Sequence, residues 1–437
     1  MGEGRYKTRR DRKEFVITQM QETIRFPKMR HSELPKKDQR ERLSKITLAQ
    51  IIVSGRSGSM LAQSFIDDHP EVLHIPHTFK FYNFIFQHPN ILSLKVEEII
   101  DAFLEFSEHK CFFDSSLSVL VGGRLGPGMQ TKILIDKLLF KRAFISCMPQ
   151  KEYAEKDIFF GIILAYSWCL GKDINNAKVV LHHVHHGEWL YMDKYLYEAI
   201  NIPFNKRQNG LDFLKPSKCL IMLREPHDTF RSSANFVDKL QLSRSEKAEY
   251  AEIYFRLAIQ DWLRNVLIFQ TVKDCKFLRL EDLKNNLTGS LQQLSDWLEI
   301  DPTSPSWNQP TLYGLPWFGD IYSKPTNAPK PFVRLARPFW SMNHIFIWAC
   351  LGGLPAVYGY FVPSVFKYKI IRRLAAVLVG LLSFSPLSKY TSRKDAKKLS
   401  IDRARFINKI LKDEEEAFLH YCKKNVGGNC IGMSQIY

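Results

Sequence analysis

Leu48 to Val53 is a short, mostly apolar run of the kind that forms a strand buried on both faces of a parallel sheet. Ser54-Gly55-Arg56-Ser57-Gly58-Ser59 then supplies small residues for a turn. After the turn, Met60, Leu61, Phe65 and Ile66 recur at helical spacing until His69-Pro70 closes the helix. Three further apolar runs repeat the pattern. Ala177 to His186 reads as a strand, followed by a helix from about Glu188 to Ile200 and a loop over 201–217. Lys218 to Leu223 is another strand, with Pro226 suited to the first turn of the next helix. Phe277 to Leu280 ends at Glu281-Asp282-Leu283, after which Leu287, Leu291, Leu294, Trp297 and Leu298 line one helical face. Segments 95–107 and 131–146 also read as largely helical, and the aromatic stretch opened by Phe79-Lys80-Phe81-Tyr82 reads as a lid over an acceptor pocket. This alternation predicts an α/β fold, a parallel sheet flanked by crossover helices.

The two ends of the chain depart from that pattern. Residues 1–45 are basic and poor in apolar residues, a solvated N-terminal arm suited to anionic lipid or polyanions. Ile345 to Phe366 carries no charge over 22 residues but is broken by Gly352-Gly353, Pro355 and Pro363. Lys367, Lys369, Arg372 and Arg373 follow, and then a second apolar run from Leu374 to Phe384. Two readings of 345–384 stand side by side: interfacial contact with a membrane, or a buried helical layer over the sheet. Arg393 to Lys412 is a basic amphipathic stretch. The chain therefore divides into an arm at 1–45, an α/β domain at 46–330 and a C-terminal helical extension at 331–437, membrane-associated on the first reading.

Charge narrows the partners. The 437 residues carry a net charge of +17, which favours anionic cofactors, polyanions or lipid. The eight cysteines form no C-x-x-C pair, so neither a zinc site nor a dense disulfide framework is indicated. Without an N-terminal apolar segment the expectation is a cytoplasmic protein, not secreted, at most peripheral or monotopic on a membrane. Asn286-Leu287-Thr288 matches a glycosylation sequon, which is incidental in such a protein.

The candidate chemistry lies at the first turn. Strand, glycine-containing turn and helix place free backbone N–H groups at the positive end of a helix dipole, an anion cradle. Arg56 adds a guanidinium that can grip two oxygens of a phosphate or sulfate. The pattern is not a Walker A loop, because G-x-x-x-x-G-K-[ST] is absent. It resembles the 5′-phosphosulfate loop of the sulfotransferases, [KR]-S-G-[ST], and the HPEVL at His69–Leu73 is similar to that of the branch acting on proteins and carbohydrates. Three later matches follow in family order: Arg224 with Ser232 eight residues on, Arg279-Leu280-Glu281-Asp282-Leu283, and Trp317-Phe318-Gly319. The resemblance covers 46–330. It implies the sulfotransferase fold, with 3′-phosphoadenosine 5′-phosphosulfate as co-substrate, no metal, and a carbohydrate, lipid or small-molecule acceptor with a free hydroxyl. It also implies that Arg56 and the N–H groups of Ser57, Gly58, Ser59 and Met60 hold the sulfuryl end. Arg224 and Ser232 then hold the 3′-phosphate, with Trp317 and Gly319 nearby.

The base is left between two histidines. His183 falls opposite the histidine of a K-T-H strand motif, with Leu181 where the family has lysine; His77 falls where the protein-tyrosine branch has glutamate. Either serves at neutral pH. The cluster His182, His183, His185 and His186 alternates across a strand, so at most two share a side, and a metal site is not expected. His69 reads as a helix stop and His227 as a helix-start residue near the phosphate. Two other classes compete: a P-loop-like nucleotide kinase or hydrolase, disfavoured by the missing Lys-Ser/Thr pair, and a non-catalytic basic protein of membrane surfaces or nucleic acid. Nucleic acid is not the expected partner.

Overall fold

A parallel sheet orders the molecule, and its strands are β1 (Thr47–Val53), β2 (Val72–His74), β3 (Val179–His185), β4 (Lys218–Leu223), β5 (Asp274–Arg279) and the two-residue β6 (Cys430–Ile431). The order across the sheet is β6-β5-β4-β1-β3-β2, and every pair is parallel. The computed structural model describes residues 23–26, 33–53, 55–115, 124–149, 152–185, 216–240, 273–319, 342–381 and 430–431, with isolated positions between 214 and 262. The helix expected at 188–200, the loop at 201–213, His186 and the basic stretch at 393–412 lie outside the described residues.

Continuous apolar runs make these strands because both faces of the sheet are covered. Alternate residues separate into two cores. Ala49, Ile51, Val179, Leu181, Leu220, Met222 and Leu278 face one layer. That layer is built from α1 (Ser59–Ile66) and, later in the chain, a helix at Leu287–Leu298. Leu48, Ile52, Val180, Val184, Ile221 and Phe277 face the other, filled by the helix Glu155–Cys169 and a cluster of phenylalanines. Asn286 accepts the Gly289 N–H at 3.2 Å, so the sequon residue caps a helix.

Several expectations change here. Residues 131–146 are not helical throughout: Lys132–Ile135 is a strand paired in parallel with Thr23–Phe26, and the helix is Lys137–Cys147. The described part of 1–45 is not wholly solvated: Phe26, Arg40 and Leu43 are buried, and Arg40 Nη1 lies 2.7 Å from Asp157, while most of its other residues are exposed. The aromatic stretch is core at its start, not surface. Phe79, Phe81, Tyr82 and Phe84 are buried in the core, with Phe79 stacked on Phe159.

Of the two readings of the C-terminal apolar segment, burial describes 346–360. Phe346 to Leu351, Leu354, Tyr358 and Tyr360 belong to the same core as the strands, and Tyr358 meets Phe277 edge-on at 4.9 Å. Tyr360 donates its hydroxyl to Glu281 at 2.9 Å. Among the described residues no helix is long and apolar enough to cross a membrane.

The core also buries neutral histidines. His109 is fully enclosed, with the rings of Phe79, Phe84, Phe103, Phe106 and Phe112 centred 4.4–5.8 Å away. Burial pushes His109 down to about 3, and likewise His182 to about 4. Between those values and the ordinary range the unfolded chain binds protons that the folded chain does not, so acidification lowers stability. The melting temperature should therefore fall as pH drops from about 7 to about 5. His109→Phe should flatten that slope; an unchanged slope in the variant would show that His109 is not among its sources.

Candidate functional site

Ladder register brings the expected residues to one edge. Val53, the last residue of β1, pairs with Met222 of β4 and His185 of β3, while Leu223 pairs with Arg279. The turn after β1 and the segment after β4 therefore leave the sheet side by side at its carboxyl end, where the chain switches from building one half of the sheet to the other. Gly58 N-caps α1 with a left-handed backbone (φ 88°) and no side-chain cap, and Arg56 is also left-handed (φ 64°). A Cβ on Gly58 would meet Leu280 Cδ1 at 2.5 Å, so the turn and the start of the α-helix Leu280–Asn285 are in close contact. The first-turn N–H groups are thus left for something other than a side chain.

Three of the sequence-predicted residues meet here. Arg56 Nε donates to Ser232 Oγ at 3.3 Å, and Arg224 Nη1 donates to the Arg56 carbonyl at 3.3 Å. The Arg56 guanidinium also lies over the Phe236 ring, 5.4 Å from its centroid. Ser232 and Phe236 both stand on α2 (Pro226–Lys239), started by Pro226 and capped by the Glu225 carboxylate, which accepts from Asp228 N–H at 2.7 Å. Ser57 Oγ and Arg224 Nε are buried and have no hydrogen-bond partner among the described residues. Buried donors of that kind fit an oxyanion. Burial lowers the Arg224 pKa, with Arg56 adding to the effect while Asp228, Glu281 and Glu225 oppose it. Burial likewise lowers Lys284, pushed further by Arg224. Neighbouring cations under desolvation make a site that gains from a bound anion.

The two candidate bases lie on one network, on the same sheet face as α1. Gln63 of α1 has its amide oriented by the backbone: His77 N–H donates to Oε1 at 3.1 Å, and the Ile75 carbonyl accepts from Nε2 at 3.2 Å. Oε1 is also 2.8 Å from His183 Nδ1, which must therefore carry the proton, leaving the lone pair on Nε2. His77 is the reverse. Thr78 N–H donates to its Nδ1 at 2.7 Å, so the neutral ring carries its proton on Nε2. Both Nε2 atoms are buried without a hydrogen-bond partner among the described residues. Burial holds His183 well below the usual histidine range, aided by His77, His182 and His74, and burial holds His77 at about 4. The network continues through His74, whose Nδ1 is 3.2 Å from Gln63 Nε2 and whose Nε2 is 3.1 Å from Asp67 Oδ1.

The remaining expected residues have partners of their own. His182 faces the opposite side of β3, donating from Nε2 to the Phe79 carbonyl at 2.8 Å, with Gln50 3.4 Å from its Nδ1. Trp317 is buried in the core, bridged to Leu125 and donating its backbone N–H to Pro310 at 2.9 Å; Gly319, two residues on, is left-handed (φ 91°). Met60 is half-buried against the core. His69 does more than stop a helix: its Nε2 donates to the Asp301 carbonyl at 3.0 Å, and its Nδ1 accepts from Glu71 N–H. His227 stacks on His344 with ring centroids 3.9 Å apart. Glu225, His227 and Asp228 place one ligand atom each within 4.8 Å of the others, although the Glu225 carboxylate is engaged in the helix cap. Sequence reasoning missed Gln63, Glu281, Lys284 and Asp261, whose Oδ2 accepts the Gly55 N–H at 3.2 Å. Gln63 had a signal, a polar residue interrupting the apolar face of Ala62, Phe65 and Ile66.

Comparison with protein-family models and with curated proteins finds no match.

Replacing Gly58 by Ala should cost more than about 1 kcal/mol, because the left-handed backbone and the Leu280 contact act together. Adding Leu280→Ala should leave the backbone part of the loss in place. Urea unfolding of both variants measures this, and a neutral Gly58→Ala would refute the tight turn.

Proposed function

We propose that the chain is a sulfotransferase, moving the sulfuryl group of 3′-phosphoadenosine 5′-phosphosulfate to the hydroxyl of a carbohydrate, lipid or other acceptor. The observation that carries this reading is the meeting of Arg56, Arg224 and Ser232, two arginines 168 residues apart, around an uncapped glycine turn. An α/β sheet with an anion cradle suits many phosphate ligands. Two half-buried guanidiniums without a Walker lysine suit a donor carrying anionic groups at both ends better than a metal-bound triphosphate.

The roles follow from the donor sets. Arg224 Nε and Ser57 Oγ are buried donors awaiting an anion, and the N–H groups of Ser57 to Met60 lie at the start of α1. Arg56, on Ser232 and beside the turn, serves both halves of the ligand. Sulfuryl transfer resembles phosphoryl transfer, so positioning and charge stabilisation supply most of the rate. As the acceptor oxygen bonds to sulfur and the bond to the leaving nucleotide breaks, the acceptor proton needs a lone pair. His183 Nε2 carries one, and the hydrogen-bond pattern therefore favours His183 over His77 as the base. His77 offers an N–H, suited to an oxygen that bears charge.

Adenosine 3′,5′-bisphosphate should raise the melting temperature, and ATP with magnesium should not. Arg224→Ala should weaken bisphosphate binding by about 1.5–3 kcal/mol, roughly ten- to a hundredfold. A response to magnesium-ATP alone would favour the kinase or hydrolase reading, and no response to either would favour a non-catalytic one. With labelled donor and a panel of hydroxyl acceptors, His183→Ala should lower turnover by about a hundredfold or more while bisphosphate binding persists. Because its pKa is depressed, the base stays unprotonated on mild acidification, so kcat should show no histidine step between pH about 7 and 5.5. Equal losses in His77→Ala and His183→Ala would overturn the assignment.

A further inference from the structure

We propose that the outward face of the C-terminal helix α3 (Lys369–Leu381) docks on a bilayer surface bearing anionic headgroups. The inference stands apart from the catalytic reading and rests on different residues.

Ile370, Leu374, Val377 and Leu378 follow helical spacing along one stripe and are 69, 60, 54 and 44 % exposed. Val365, Tyr368 and Phe361 are exposed just before the helix. Seven of the ten large hydrophobic residues exposed among the described positions therefore fall between 361 and 378. The opposite face is fixed. Arg372 is fully buried, donating from Nε to the Ala349 carbonyl at 2.7 Å and from Nη2 to the Cys350 carbonyl at 2.6 Å, and Ala375 is buried beside it. Those bonds set the rotation of the helix and hold the apolar stripe outward. A patch of this size on one face calls for a cover.

Charge decides what covers it. From 321 to 394 the chain has no Asp or Glu against eleven Lys and Arg. Lys367 and Arg373 are exposed at the margin of the stripe. Two copies packed stripe to stripe would bring these cations together with no carboxylate from this region to pair them. Anionic headgroups neutralise them, while the acyl boundary receives the leucine and valine side chains. Thirteen residues span about 20 Å, so a helix lying in the plane of the interface fits, and a crossing does not.

The test is sedimentation of the full chain with vesicles of phosphatidylcholine alone or of phosphatidylcholine and phosphatidylserine in equal parts. Binding should be at least tenfold stronger to the anionic vesicles and should weaken as salt rises. Leu374→Glu with Val377→Glu should abolish it while melting temperature and bisphosphate response stay as in the parent. Arg373→Glu, which leaves the stripe intact, should remove the preference for phosphatidylserine and serves if the double variant does not fold. A parent chain indifferent to both vesicles overturns the proposal, as does unchanged binding in the variants. So does a dimer in analytical ultracentrifugation that the double variant dissociates.

Discussion

The parallel pairing of β1 with β4, Val53 opposite Met222, is the constraint on which the candidate site depends. Side-chain direction reverses at every residue of a strand, so a slip of one position would reverse every side chain of β4 between the two cores. Ile221 and Met222 could not both keep their layers. The same register fixes how far Arg56 and Arg224 stand beyond the sheet edge, three residues after Val53 and two after Met222. Hydrophobic burial thus places two cations together at a distance the local sequence of neither could specify. Left alone, such a pairing is unfavourable, and the acids around it, Asp228, Glu281 and Glu225, offset part of the repulsion.

Four of the six strands of the central sheet were legible in the sequence because burial on both faces demands unbroken apolar runs; the short Val72–His74 and Cys430–Ile431 were not. Nor was the strand Lys132–Ile135. Four residues carry too little periodicity, and what makes KILI extended is the partner Thr23–Phe26, more than a hundred positions earlier. The aromatic stretch after Phe79 misled for a related reason. Clustered rings are equally compatible with a pocket wall and with a core, and only the surrounding helices decide. At the C-terminus the absence of charge over 345–366 left burial and membrane contact equally open, and only the packing of 346–360 against the core decides for that part.

Much of the site could be read as a set of residues but not as an arrangement. Arg56, Arg224 and Ser232 were nameable because short motifs around them resemble, in order, those of the sulfotransferases. The difference between His77 and His183 was not, since the His183 proton is placed by Gln63, 120 residues before it, and that of His77 by the neighbouring Thr78 N–H. The Gln63 amide, oriented by backbone groups, puts the His183 proton on Nδ1, while the Thr78 N–H leaves that of His77 on Nε2. No local pattern encodes the first of these.

The bond from Arg224 to the carbonyl of Arg56 ties one guanidinium to the backbone of the turn that carries the other. The acceptor is a main-chain atom, so the bond outlasts any change of side chain at 56 but not the loss of Arg224. The energetic contributions of the two arginines cannot be partitioned by deleting them singly. A thermodynamic cycle through both would separate the part they share, their mutual repulsion, from the part each holds alone.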